Sequence, residues 1–233
     1  MPVTRRLLTR LRRDEAGFTL IELMVSIPIG LMVMGVALDL IVRASAMQVT
    51  LSNRQEAVAR GRVTMDLITR QLRSTVCLKS LTPSRSVESG DGSSVTLYVD
   101  LGDGSLPAER HVLTFDSAAG TLSERDYLQA SASPVTYSAT PAHNKVLADT
   151  VAAAPGVPVF SYYAFTTGGA ISATRLPVPL SAADAAKTID IAVSFIARDD
   201  RGIGATPHGT TFADDVFNRT ADPTAPGQLP ACI

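Results

Sequence analysis

The sequence predicts an α+β protein in which one long N-terminal helix packs on an antiparallel β-sheet head. Three observations carry this. An apolar segment, Phe18–Val42, opens the chain behind a basic head. A narrow apolar stripe then continues at helical spacing as far as Leu72. Beyond residue 90 the apolar residues alternate instead, in short runs bounded by Gly, Pro, Asp and Ser. A single helix followed by strands is the order of an α+β fold, not of an alternating βα one.

The basic head comes first. Residues 1–17 hold Arg5, Arg6, Arg10, Arg12 and Arg13 against Asp14 and Glu15, a net of +3. The whole chain carries −1, so the body after residue 17 is acidic, at −4. Arginines in front of an apolar segment hold the N-terminus in the cytoplasm and send the rest of the chain outside. Within Phe18–Val42 only Glu22 and Asp39 are charged, and Leu23–Leu38 is uncharged throughout. A spanning helix needs roughly 17–25 residues, a length reached once the flanks are counted. A cleaved secretory signal is the competing reading. It requires a small-residue cut site after the apolar core, whereas this core runs on into a helix-compatible stretch. A carboxylate inside a bilayer costs about 2.5–3.5 kcal/mol, which marks Glu22 as functional. Asp39 lies near the outer edge, where water reaches it, and reads as an interfacial charge.

The helix is expected to continue. Met47, Leu51, Val58, Met65, Ile68 and Leu72 recur at helical steps, with Arg54 and Gly61 at the intervening positions. The stop signal is Leu81-Thr-Pro83-Ser, so the helix is predicted from Phe18 to about Lys79. This divides the chain into a leader at 1–17, a transmembrane half at 18–42, an amphipathic half at 43–80, a head at 81–222 and a tail at 223–233. A free coiled coil competes, but Arg54 and Gly61 on the stripe, and strands in need of a cover, argue against it.

The head is predicted to hold strands at Ser94–Asp100, His111–Asp116, Thr121–Tyr127, Val157–Phe165 and Thr188–Ala197. A turn at Ser117–Gly120 makes a hairpin of the second and third. Ile189, Ile191, Val193 and Phe195 give the clearest alternation. Phe212–Arg219 is expected to close the sheet. Residues 134–154 and 176–186 read as loops rich in Ala, Ser and Pro.

Little in the chain speaks for catalysis. There is no nucleophile elbow, zinc-protease helix, Walker loop or dinucleotide fingerprint. His111 reads as a strand-rim residue, and His143 and His208 as solvated loop residues. Asp100-Leu-Gly-Asp103-Gly104 lacks the spacing and distal Glu of a calcium loop and reads as a turn, as does Arg198-Asp-Asp-Arg201. No cofactor or metal is expected, and the acidic body gives no field for nucleic acid. Cys77 and Cys232 are too few for a disulfide-dense scaffold. Both fall outside the membrane on this topology, where they are expected to form one disulfide; two unpaired thiols are the alternative.

Gly17-Phe18-Thr19-Leu20-Ile21-Glu22 behind a basic leader resembles the N-terminal signal of type IV pilins and type II secretion pseudopilins. Glu56–Arg73, with Arg62-x3-Asp66-Leu-x2-Arg70-x-Leu72-Arg73, resembles the second helix half of J-type minor pseudopilins and related minor pilins. The resemblance implies a pilin-like fold and cleavage by a prepilin peptidase between Gly17 and Phe18. It also implies N-methylation of the Phe18 amine and a role for Glu22 in pairing with a neighbouring subunit's amine. Pro28 sits earlier than the proline of the major pilins. The expected partners are the peptidase, other pilin or pseudopilin subunits, an inner-membrane assembly platform and the lipid bilayer. The expected role is a minor pilin or pseudopilin, a structural subunit and not an enzyme. A signal-anchored extracytoplasmic binding protein or enzyme is the alternative, and an N-terminus at Phe18 separates the two.

Overall fold

A computed structural model of the chain describes residues 18–78, 80, 81, 83–100, 108–199 and 209–218. The chain divides into two compact units, Met1–Leu51 and Ser52–Ile233, and helix α1 (Leu20–Arg73) contributes to both. Gly17, Asp103, Arg201, His208, Cys232 and the predicted tail lie outside the described residues.

In the first unit, every described side chain of α1 is exposed. Leu31, Met32, Val33, Met34 and Val36 all show 60 % or more of their surface. Pro28 lies inside the helix without ending it, although it removes one backbone donor. Among the described residues, α1 is the one helix long and apolar enough to cross a membrane. A stretch that is apolar all round and buries nothing needs lipid, not water, as its solvent. At the far end of this stretch Arg43 Nε meets Asp39 Oδ2 at 2.8 Å, one helical turn away, which gives the second acid a local counter-charge.

In the second unit α1 ends at Arg73, not near Lys79 as expected. The β-branched Thr75 and Val76 suit extended backbone better than helix. The chain turns to pair with the strand that includes Tyr98: Val76 N–H donates to Tyr98 O at 2.8 Å, and Asp100 N–H to Ser74 O at 3.1 Å. Tertiary pairing overrides a helix that local punctuation would have let run on.

The head is α+β and pilin-like, a long helix followed by antiparallel strands. Its elements are β1 (Val87–Gly90), β2 (Ser94–Val99), β3 (Glu109–Asp116), β4 (Thr121–Tyr127), β5 (Gln129–Ala132), β6 (Val135–Tyr137), β7 (His143–Ala148), β8 (Val151–Ala152), β9 (Phe160–Tyr163), α2 (Ala182–Lys187), β10 (Asp190–Arg198) and β11 (Gly209–Phe217). One sheet runs β1-β2-β3-β4-β7. The other centres on β10, with β11 on one side and β9 and β8 along the other. Strands β5 and β6 form a separate hairpin. All pairings are antiparallel.

The alternation predicted for β10 is what the core uses: Ile191, Val193 and Phe195 are buried beside Leu97, Leu113 and Leu122 of the first sheet and Met65, Ile68 and Leu72 of α1. The buried stripe of α1 also takes in Asn53, Ala57, Gly61, Thr64 and Thr69, so it includes small and polar residues. Three of these have a clear use. A Cβ on Gly61 would run into the Phe212 ring of β11, so a glycine lets helix and sheet approach closely. Thr69 donates to Asp214 Oδ2 at 3.1 Å, and Thr64 to Arg60 O at 2.9 Å and Leu147 O at 3.3 Å.

Two segments expected as loops are not loops. Residues 134–154 contain β6, β7 and β8, and residues 176–186 contain most of α2. The α2 start is capped by Ser181, whose hydroxyl accepts from Asp184 N–H at 3.1 Å and donates to its carboxylate at 2.7 Å. Strands β1 and β5 are additions to the predicted set. The closing segment near Phe212 is present as β11 and begins earlier, at Gly209.

Candidate processing and assembly site

The start of α1 is built by its own sequence. Thr19 Oγ1 accepts from Glu22 N–H at 3.3 Å, and its hydroxyl faces Glu22 Oε2 at 3.5 Å. Leu23 N–H bonds Thr19 O at 3.1 Å, the first turn of the helix. Thr19-x-x-Glu22 is therefore a capping pair: the threonine satisfies a free backbone donor, and the acid sits at the positive end of the helix dipole. The Ser26 hydroxyl bonds the Glu22 carbonyl one turn on. Glu22 is exposed and its carboxylate meets no cation among the described residues. A capped helix start thus presents one acid four residues after Phe18, with nothing but apolar side chains behind it until Asp39 apart from Ser26.

Residues 12–38 match the family model of the prokaryotic N-terminal methylation motif. That motif is the leader of the type IV pilin and pseudopilin type, and the matched residues include Gly17, Phe18 and Glu22. No curated protein matches the chain. The capping pair is missing from the sequence reading, although Thr followed three residues later by Glu ahead of an apolar run is its usual signal.

The head carries a different polar cluster. His111, expected at a strand rim, is instead buried, with 3 % of its surface exposed. Its Nδ1 lies 2.7 Å from Glu124 Oε1 and its Nε2 lies 3.2 Å from Glu109 Oε2. Both ring nitrogens thus face carboxylate oxygens, which accept when ionised, so the surroundings favour the protonated ring. Burial opposes that charge, yet Glu124 and then Glu109 outweigh it and raise the pKa above 6.5. Asp126 lies directly across from His111 and takes His143 Nδ1 at 2.6 Å. His143 sits on β7 with its side chain exposed, in contact with Asp126 and not free in a loop; that bond raises its pKa too.

These two histidines make stability depend on pH. A histidine whose folded pKa is raised stabilises the fold fully below its unfolded value near 6.5. That contribution is lost as pH rises through the folded value. Chemical unfolding of the full chain in detergent should give a midpoint that falls from mildly acidic to alkaline pH, and His111→Gln should flatten the profile. A wild-type midpoint that rises with pH over that range would contradict the assignment. The described residues contain no group of three or more His, Cys, Asp or Glu arranged to hold a metal ion.

Proposed function

We propose that the chain is a minor pilin or pseudopilin, a non-enzymatic structural subunit of a filament. The observation that carries this is the methylation-motif match at residues 12–38, placed at the head of the exposed apolar half of α1 with a capped acid at its start. In this reading a prepilin peptidase cuts between Gly17 and Phe18 and the new Phe18 amine is methylated. The chain spans the inner membrane once, with its N-terminus in the cytoplasm and its head outside. An assembly platform in that membrane then moves it into a pilus or pseudopilus. Helix packing in lipid supplies the cohesion, and Glu22 pairs with a neighbouring subunit's amine. Burying both charges together removes the cost of leaving either alone in hydrocarbon.

Glu22→Leu tests the assembly step. The substitution removes the insertion penalty of about 2.5–3.5 kcal/mol, so membrane residence should not fall. Recovery with partner subunits in detergent pull-downs should drop roughly tenfold or more, the effect of losing an ion pair in a low-dielectric setting. Recovery equal to wild type would remove Glu22 from assembly.

The cysteines belong to the same reading. Cys77 lies just beyond the end of α1 and is 5 % exposed, and no free cysteine is present among the described residues. Both observations support a Cys77–Cys232 bond in an oxidising compartment. Alkylation of the denatured, unreduced chain should modify no thiol in the monomer. Two modified thiols would end that proposal.

A further inference from the structure

Pro28 leaves one backbone group in the apolar stretch of α1 without its helical partner. Proline has no N–H, so the carbonyl four residues earlier, that of Met24, loses the donor that the helix would supply. The stretch Phe18–Val42 holds two hydroxyls, on Thr19 and Ser26. Neither serves Met24: Thr19 faces Glu22 Oε2, and Ser26 donates to the Glu22 carbonyl. Water would satisfy a bare carbonyl on an exposed helix. In hydrocarbon there is no water, and a side chain or a neighbouring helix must supply the missing donor.

Ser26 is the donor at hand. Its hydroxyl bonds a carbonyl that also receives the Ser26 N–H as an ordinary helix bond. If that hydroxyl turns to the Met24 carbonyl of a second helix, the number of bonds is unchanged, but no carbonyl is left bare. One helix cannot make this bond to itself. Residues two apart stand about 200° apart around the axis, so Ser26 and Met24 lie on nearly opposite faces. The heights agree. A helix carbonyl points along the axis toward the C-terminus, and Ser26 lies about 3 Å beyond Met24 in that direction. Parallel copies at one depth therefore set the hydroxyl of one beside the carbonyl of the next.

Each face also carries a glycine. Gly30 lies one turn beyond Ser26, and Gly35 lies about three turns beyond Met24. A Cβ on either would meet nothing within 4 Å. Nothing within α1 requires these two glycines, which are poor helix formers. Their missing side chains let a second backbone come close enough for a short side chain such as serine to reach a carbonyl.

We propose that α1 packs side by side against a second copy of this chain, with Ser26 of one helix donating to the Met24 carbonyl of the next. Donor and acceptor lie on opposite faces, so the contact is heterologous. A pair leaves one donor and one acceptor open, and a third copy can join the row. The choice of a parallel copy as the partner rests on the filament reading above and adds to it a subunit contact distinct from Glu22.

The test is sedimentation equilibrium of the full-length chain in density-matched detergent micelles. Wild type should self-associate. Ser26→Ala removes the donor, and Pro28→Ala returns an N–H to the Met24 carbonyl. Each should weaken self-association roughly threefold or more, as expected for one interhelical hydrogen bond. The double variant should be no weaker than either single one, because both changes remove the same bond. Ser26→Thr, which keeps a hydroxyl, should associate as wild type does. A monomeric wild type, either alanine variant equal to wild type, or a double variant that loses the product of the two single effects would overturn the contact. The N-terminal mass of the same sample separates this contact from the filament reading. A chain that begins at Phe18 and shows no Ser26 effect overturns the contact alone. A chain that keeps its leader and shows the full pattern supports the contact and removes the filament as its setting.

Discussion

Replacing Gly17 with valine is expected to leave the precursor uncut. A peptidase must draw the backbone on both sides of the scissile bond into its site, and glycine offers no Cβ to obstruct it. Valine adds a branched side chain at that point and stiffens the chain. The five arginines of the leader are unchanged, so in the proposed topology the variant should insert normally and accumulate at full length. Immunoblots of membranes should show one slow band where wild type shows the processed one. A variant that migrates with processed wild type would show that no glycine-dependent cut occurs.

Gly90→Val should cost about 3 kcal/mol of head stability, the upper range for overpacking a core. A Cβ at Gly90 would meet the hydroxyl and ring of Tyr162 well inside van der Waals contact. Tyr162 has nowhere to go. It is fully buried, and its hydroxyl lies 3.0 Å from Asp91 O and 2.8 Å from Ser94 O, which ties β9 of one sheet to the β1–β2 turn of the other. The Gly90 carbonyl is also fixed, accepting from Leu180 N–H at 2.8 Å. Denaturant unfolding of the full chain, followed by near-ultraviolet dichroism of its tyrosines, should show a clearly lower midpoint. Processing at Gly17–Phe18 should survive, because that bond lies in the other unit. An unchanged midpoint would mean that the β1–β9 packing is not tight.

What could be read from residues alone divides along physical lines. The apolar helix and the alternation of β10 were legible, because each pattern is long and each face is set by burial. The short strands β6, β7 and β8 were not. They are two to six residues long, β7 opens on the polar run His143-Asn144-Lys145, and β7 and β8 become strands only because β4 and β10 offer free edges to pair with. The end of α1 was hidden for the same reason, since its stop is a pairing with β2 and not a Gly or Pro. His111 could have been placed correctly. On the predicted strand it shares a face with Leu113 and Phe115, both core residues, and alternation alone turns it inward. The acid at Glu22 was recognisable from its neighbours, whereas its capping geometry with Thr19 was overlooked.

The filament reading stands or falls on removal of the basic leader ahead of the apolar helix and not after it. Intact-mass and N-terminal peptide spectrometry of the protein purified from native membranes tests this most directly. The predicted result is a chain that begins at Phe18, carries one methyl group on its α-amine and retains the whole apolar segment. A chain that keeps residues 1–17, or one cut beyond Val42, would contradict the account and favour a signal-anchored or secreted protein instead.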